Sequence, residues 1–506
     1  MSSSAFEQRS AVVSSEREAV VRPHPSATRA PVERSTMYAL LPWLVLALFG
    51  AFLLLLGQGG VFPDTWFGLD AGRELVQHGF SSTNTWTRWG SREWVDQQWG
   101  AHLLYYGVWR LAGAFGLVAL NIVVIVSGLA LCMRAAMRRG GGAAWTSLLL
   151  VVVLLTANSD LWYARAQSLS VLFFGLLVWI LARDDGRLDR GVFLAIPLIA
   201  VWANLHAAML VGAGVCFVYA AACLVEPGRR DGPSLHRRAL ALMFGAGLAC
   251  FATPVVTGLP WYLRQTMHNP DFAKYLPEWV PTTLTGSPFF VLGAFAAVAI
   301  TVRAPIARRD KALVWVLTIA GFTAFRSELW GCLIWLVVLP GALERLRPVT
   351  PGRGLRRTAI ALAVIAGLLL AGSSARDLAT ARGDFAASWP RGAADVVTRA
   401  LRANPRLKVF ADQPLSDWLL FAAPAVRGRL AIDGRFEVFD HRTFLEVDGL
   451  SAEPVRIAPR VAAEDLYVLA PGSYYDGRLI RALEREPGIV RLYSSEIVVI
   501  LRRSQR

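Results

Sequence analysis

Between residues 38 and 373 the chain repeats one pattern, a long apolar run followed by a short polar segment. The runs cover residues 38–57, 113–133, 143–157, 167–182, 191–203, 207–225, 238–254, 287–302, 312–325, 328–343 and 358–373. Their lengths suit helices that cross a bilayer, which predicts about eleven spans. The stretch from Trp99 to Leu111 is apolar but carries His102, Arg110 and several aromatic residues, so it reads as a helix lying in the interface. Residues 64–78 have a helical period too, with Phe67, Ala71 and Leu75 on one stripe and Asp70, Arg73, Glu74 and Gln77 on another. After residue 373 the pattern shortens. Apolar runs at 407–411, 429–432, 466–469, 489–493 and 497–501 predict strands, and 475–486 predicts a helix. That segment, 374–506, reads as a small α/β domain, and residues 1–36, which are polar, as a disordered tail.

Composition agrees with the membrane reading. The 506 residues are 55% hydrophobic and only 18% charged, where ordinary soluble domains carry about 25% charged residues. The net charge of +15 does not indicate nucleic acid, because the Lys and Arg residues sit in short clusters between apolar runs. Placing residues 1–37 in the cytoplasm puts 24 Lys and Arg in the loops on that side and 8 in the opposite loops. By the positive-inside rule this predicts a cytoplasmic N-terminus, an odd number of spans and an extracytoplasmic C-terminal domain. The five cysteines all fall within or at the end of apolar runs and imply no disulfide framework.

Candidate chemistry collects in the outer loops. The first, 58–112, holds six of the chain's 18 Trp together with Asp64, Asp70, Arg73 and Asp96. Asp64 can act as a general base on a hydroxyl, ligate a divalent cation at a phosphate, or cap the helix that follows Pro63. Trp66, Trp94 and Trp99 can form an interfacial belt or stack on sugar rings. His206, in Trp202-Ala203-Asn204-Leu205-His206, sits where two short spans meet, and is either a functional group at the membrane surface or part of a polar turn. Arg326 can receive a phosphate or pair with Glu328 or another carboxylate. Asn158, Asp160 and Arg165 form a small polar loop, and the prolines of Pro277-Glu278-Trp279-Val280-Pro281 imply a rigid turn. Asp433, in Ile432-Asp433-Gly434-Arg435, reads as a turn residue. The sequence contains no P-loop, GxGxxG, HExxH or GxSxG motif, which weighs against ATP-driven transport and nucleotide-sugar chemistry.

Taken in order, Asp64-Thr65-Trp66-Phe67, Gly72-Arg73, Trp94-Val95-Asp96-Gln97-Gln98-Trp99, Trp202 to His206, Glu278-Trp279 and Ile432 to Arg435 resemble a family of bacterial multi-pass membrane proteins. That family is similar in architecture to the C-type (GT-C fold) glycosyltransferase superfamily. The resemblance implies a glycosyltransferase of the plasma membrane that takes a polyprenyl-phosphate-linked sugar at its outer face and passes it to an extracytoplasmic glycan or protein acceptor. It implies Asp64 as the catalytic carboxylate and Arg326 with His206 at the donor phosphate. Asp70, Arg73, Trp66, Trp94, Asp96, Trp99, Asn204, Glu278 and Trp279 would line the substrate site, with Mg or Mn as a candidate cofactor. The chain departs from the pattern where Thr65 follows Asp64, where Asp96-Gln97-Gln98 replaces Asn-His-Glu, and where Ala207 replaces a Gly. The alternative from another class is a non-catalytic transporter or an envelope-glycan assembly or binding protein.

Overall fold

A computed structural model describes residues 38–56, 63–156, 163–226, 233–349, 361, 389 and 391–504. The tail 1–36, the apolar run 358–373 apart from residue 361, and Asn158 and Asp160 lie outside these. The first apolar run forms α1 (Leu41–Leu56), and the amphipathic stretch after it forms α2 (Pro63–His78). The two segments expected at 99–111 and 113–133 are one helix, α3 (Trp99–Arg138), bent at Gly113. Gly113 adopts φ 59° and ψ −150°, a backbone region in which a Cβ would clash. The bend separates the half that carries His102 and Arg110 from the more uniformly apolar half.

The remaining helices are α4 (Ala143–Thr156), α5 (Ala166–Leu181), α6 (Ala195–Trp202), α7 (Met209–Leu224), α8 (Pro233–Ala249), α9 (Leu259–Met267), α10 (Pro270–Tyr275), α11 (Pro288–Arg303), α12 (Arg308–Gly321) and α13 (Glu328–Leu346). Among the described residues, Trp99–Arg138 and Phe325–Leu346 are long and apolar enough to cross a membrane, and the other apolar helices are shorter. Leu, Val, Phe and Trp side chains fill the space between the helices. Large apolar residues such as Phe217, Phe244, Leu248, Phe295 and Ile319 face outward, as a lipid-facing surface does.

Several of the basic loops meet one another. Arg139 pairs with Asp310 at 3.1 Å, Arg345 donates to the Arg139 carbonyl, and Arg308 donates to the Val225 carbonyl. Those residues come from three of the basic loops. The aromatic-rich loops and the C-terminal segment meet elsewhere.

The C-terminal segment contains α14 (Arg391–Ala403), β1 (Val409–Ala411), α15 (Gln413–Ala422), α16 (His441–Gly449), α17 (Pro459–Ala462), β2 (Leu466–Leu469), α18 (Tyr474–Leu483), β3 (Ile489–Ser494) and β4 (Val499–Arg503). The sheet order is β1-β2-β4-β3. β1 runs parallel to β2 with Val409 opposite Leu466, whereas β4 is antiparallel to both of its neighbours. The strand expected at 429–432 is not formed. Leu430 makes only isolated bridges to Val409 and Thr87, because the first outer loop occupies that margin. Arg88 and Trp89 donate their backbone N–H groups to the carbonyls of Leu430 and Ala431.

This docking gives the outer loop and the C-terminal segment one core, in which Trp66, Leu69, Trp86 and Tyr105 pack with Val409, Phe410, Leu419 and Val468. The other wall of that core is α2 against α3, in close approach. A Cβ on Gly72 would lie 2.2 Å from the His102 carbonyl oxygen and 2.7 Å from the Tyr106 Cβ. A backbone atom cannot swing aside, so Gly72→Ala must push the helices apart. The expected cost is about 1–3 kcal/mol, read as a lower melting temperature in detergent.

Candidate functional site

The site is built where α2, the start of α3, the start of α5 and three loops converge. A cavity of ≈ 560 Å³ opens there, within the size range of small-molecule sites. Of the residues singled out from sequence, Asp64, Trp94, Asp96, His206, Glu278, Trp279 and Arg326 all line it.

Asp64 is the second residue of α2, where negative charge suits the helix dipole. Its side chain is 44% exposed, into the cavity, and its Oδ2 lies 3.6 Å from Nη1 of Arg165. The same Nη1 donates to Oε1 of Glu278 at 2.6 Å. Arg165 itself is fixed from behind. It precedes α5 in extended conformation, and its carbonyl accepts from the Tyr105 hydroxyl at 2.5 Å and the Ser168 N–H at 2.8 Å. Glu278 belongs to a short 3₁₀ turn, Pro277–Trp279, the rigid turn its prolines imply.

Arg326 lies in a second 3₁₀ turn, just before α13. It donates to Oε1 of Gln167 at 3.0 Å and its guanidinium lies 4.7 Å from the centre of the Trp279 ring. It forms no ion pair with Glu328, whose carboxylate accepts from Thr282 Oγ1 at 2.7 Å. His206 follows α6 in a tight turn. Its Nδ1 accepts from the Ala208 N–H at 3.2 Å and meets the Ser170 hydroxyl at 3.1 Å, while Ser170 accepts from Trp202 Nε1. That network assigns the proton to Nε2 and leaves it as the atom able to meet a ligand.

The electrostatics separate the two carboxylates. Desolvation raises the Asp64 carboxyl above its ordinary value, Glu278 adds to the rise, and Arg165 and Arg326 oppose it. Desolvation also pushes on Glu278, but Arg165 and Arg326 outweigh it and hold that carboxyl below the ordinary value. Glu278 is therefore the fixed anion and Asp64 the better proton acceptor. Burial, together with Arg326 and Arg165, holds the His206 imidazole well below its ordinary value of 6.5. In the unfolded chain the same ring charges as pH falls through 6.5. Below that pH the unfolded state binds a proton that the folded state refuses, so stability falls. His206→Gln should flatten this slope, as checked by melting scans from about pH 8 to about pH 5.

Other expected lining residues are placed elsewhere. Asp70 is fully buried between Arg73 and Arg427, and Arg73 donates to the carbonyls of Leu420 and Phe421 that end α15. Trp66 packs against Trp109, Trp389 and Phe421 in the shared core. Trp99 donates its indole N–H to Asn204 Oδ1 at 3.0 Å, and Asn204 donates to the carbonyls of Ala200 and Ala252. These five bind parts of the fold to one another rather than facing the cavity. Asp433 is the turn residue expected, buried and paired with Arg435 at 2.6 Å.

Arg165, His102 and Arg435 stand out in the sequence without being assigned to the substrate site, and Gln413 and Glu437 do not stand out at all. Arg165 is the only Lys or Arg in the outer segment 157–166, and that isolation was its signal. His102 lines the cavity with its Nδ1 held 3.0 Å from Asp96 Oδ2. The C-terminal segment adds Gln413, Arg435 and Glu437. Arg435 stacks on Trp86 and Trp94, at 4.2 and 4.7 Å. Burial first of all raises the Glu437 carboxyl to about 7. No local pattern assigns these three to the cavity, because they reach it through packing between distant segments, as Arg435 does on Trp86 and Trp94.

Among the described residues, no group of three or more His, Cys, Asp or Glu side chains is placed to hold a metal ion. Asp64 and Glu278 both turn to one guanidinium instead.

A bent multi-helix bundle with a docked C-terminal sheet is similar in fold to C-type glycosyltransferases of known structure. Among solved structures, the arabinofuranosyltransferase AftD from mycobacteria matches with a TM-score of 0.52 and 17% identity, over 92% of this chain and 42% of that one. The present chain thus spans less than half of AftD. ArnT from Cupriavidus metallidurans, solved bound to undecaprenyl phosphate, matches with a TM-score of 0.49 and 15% identity, over 91% of this chain and 98% of that one. No protein-family model matches the sequence. No curated protein sequence matches it either.

Proposed function

We propose that this protein is a glycosyltransferase of the bacterial plasma membrane, working at the outer face. It takes a sugar from a polyprenyl-phosphate carrier and passes it to a hydroxyl of an extracytoplasmic glycan or protein. The observation that carries this reading is the meeting of Asp64, Arg165, Glu278, Arg326 and His206 in one cavity. A lipid-linked sugar phosphate needs what such a cavity offers, namely fixed cations for the phosphate and a carboxylate for the incoming hydroxyl.

In this mechanism Asp64 takes the proton of the acceptor hydroxyl as that oxygen bonds to the anomeric carbon. The bond from the anomeric carbon to the phosphate oxygen breaks, and the phosphate leaves with the electron pair. Arg165, Arg326 and the Nε2–H of neutral His206 stabilise the charge that grows on it. Trp94 and Trp279 supply flat faces for sugar rings. The excess of Lys and Arg in the loops assigned to the cytoplasm supports the placement of this cavity outside. The transporter reading is less well supported, because the polar side chains buried within the bundle helices, such as Asn121, Thr146, Ser170 and Thr318, are uncharged, and the charged groups of the cavity come from helix ends and loops.

The test is release of undecaprenyl phosphate, followed by mass spectrometry, from a panel of undecaprenyl-phosphate monosaccharides given to the protein in nanodiscs. At least one donor should be consumed by transfer or by hydrolysis. Turnover of none, with lipid movement across the bilayer instead, would favour the transporter.

A further inference from the structure

We infer that His102, held in place by Asp96, receives a hydroxyl of the donor sugar, so that this pair reads the sugar while other groups hold the phosphate. This rests on the function proposed above and extends it to two side chains that the transfer step leaves unused.

Geometry fixes the ring. His102 Nδ1 lies 2.9 Å from Asp96 Oδ1 and 3.0 Å from Oδ2. Asp96 Oδ1 also accepts the Gln98 N–H at 3.1 Å, so the backbone of the same turn orients the carboxylate. A carboxylate only accepts, which puts the proton of the neutral ring on Nδ1 and leaves a lone pair on Nε2. The His102 side chain is 4% exposed, and Phe67 packs edge-on against it with the ring centres 5.0 Å apart. Gly68 keeps room for the ring beside α2, since a Cβ there would lie 3.2 Å from His102 Cδ2. Among the described residues Nε2 meets no hydrogen-bond partner, and it opens on the cavity. A buried acceptor left bare is costly, and a ligand O–H removes that cost.

Hydrogen-bonding character names the ligand group. His206 offers Nε2–H, a donor, whereas His102 offers a lone pair. A phosphate oxygen suits the first and is repelled by the second; a hydroxyl suits the second. Position then names the donor sugar. The start of α3 is tied to the turn that carries His206, since Gln97 Nε2 donates to the Ala203 carbonyl at 3.0 Å and the Gly100 N–H to the Asn204 carbonyl at 2.9 Å. A sugar attached to a phosphate at His206 is the part of the donor that comes to His102.

Two measurements test this on the full-length protein in nanodiscs. Native mass spectrometry compares undecaprenyl phosphate with the panel of undecaprenyl-phosphate monosaccharides, in an Asp64→Asn background that turns the donor over slowly. At least one sugar should tighten binding over undecaprenyl phosphate alone. His102→Phe should weaken that donor about tenfold and leave undecaprenyl phosphate within about twofold. Should His102→Phe fail to fold, Asp96→Asn keeps the ring. Its amide can donate to Nδ1 and move the proton to Nε2, so it should show the same split. Nitrogen NMR of histidine-labelled protein at about pH 8 should find the wild-type His102 proton on Nδ1, and on Nε2 in Asp96→Asn. A wild-type proton on Nε2, an equal loss for donor and undecaprenyl phosphate, or no loss in the variants would each overturn the inference. A protein that binds undecaprenyl phosphate but gains nothing from any sugar overturns this inference alone. One that binds no undecaprenyl phosphate overturns the proposed function, and this inference with it.

Discussion

Replacing Asp64 by Asn lowers sugar transfer by about 10²–10⁴-fold, the range a positioned proton acceptor contributes, and leaves the protein folded in the membrane. The amide keeps the size of the carboxylate, so Arg165 loses an ion pair at 3.6 Å but keeps its shorter bond to Glu278. What disappears is the ability to take a proton. Desolvation first of all sets the Asp64 carboxyl above its ordinary 3.8, and the pH dependence follows from that direction. A base must be unprotonated to act. Transfer should therefore fall as pH drops through a value higher than that of a free carboxylate, and this acid limb should be absent from the residual activity of Asp64→Asn. Undecaprenyl phosphate release across a pH series reads both. Full activity in the variant would exclude Asp64 as the base.

Replacing Arg427 by Met destabilises the protein by about 3 kcal/mol, as expected when one partner of a buried ion pair is removed. Arg427 reaches from the C-terminal segment to α2, where it binds Asp70 at 2.8 Å and also Glu74, and its guanidinium lies 5.2 Å from the centre of the Trp86 ring. Asp70 has no solvent exposure, so without Arg427 a buried carboxylate keeps Arg73 alone. Desolvation already raises the Asp70 carboxyl against the pull of Arg427 and Arg73. A raised carboxyl costs stability at pH above its unfolded value, and that cost is relieved as pH falls. The variant should thus lose least at low pH, and adding Asp70→Asn should restore most of its melting temperature. If the double variant melts no higher than Arg427→Met alone, the loss does not come from the stranded charge.

The sequence made the helical architecture legible because apolar length is a direct physical demand of the bilayer. The amphipathic helix after the first span was legible for a similar reason, since its stripe repeats at the helical period. The bend at Gly113 was not, because one glycine inside an apolar run does not announce a positive φ. The run 429–432 is apolar like a short buried strand, yet its pairing was shared with the first outer loop, more than three hundred residues away.

The candidate site divides in the same manner. Asp64, His206 and Arg326 stood out as ionisable groups at the ends of apolar runs, where charge is costly without a purpose. Asp70 and Arg73 stood out on the polar stripe of α2 and serve the joint with the C-terminal segment instead. Polarity in a sequence marks the need for a partner and does not say whether that partner is a ligand or the rest of the chain. Arg165 and Glu437 came to the cavity only through packing between distant segments.

The central claim is that the cations of this cavity receive the phosphate of a lipid carrier. A cryo-electron microscopy map of the protein in nanodiscs with undecaprenyl phosphate tests it most directly. The account predicts phosphate density within hydrogen-bonding distance of Arg326 and Arg165, with His206 alongside and the polyprenyl chain leading out toward lipid. Density for the headgroup at another surface, with this cavity left to water, would contradict it.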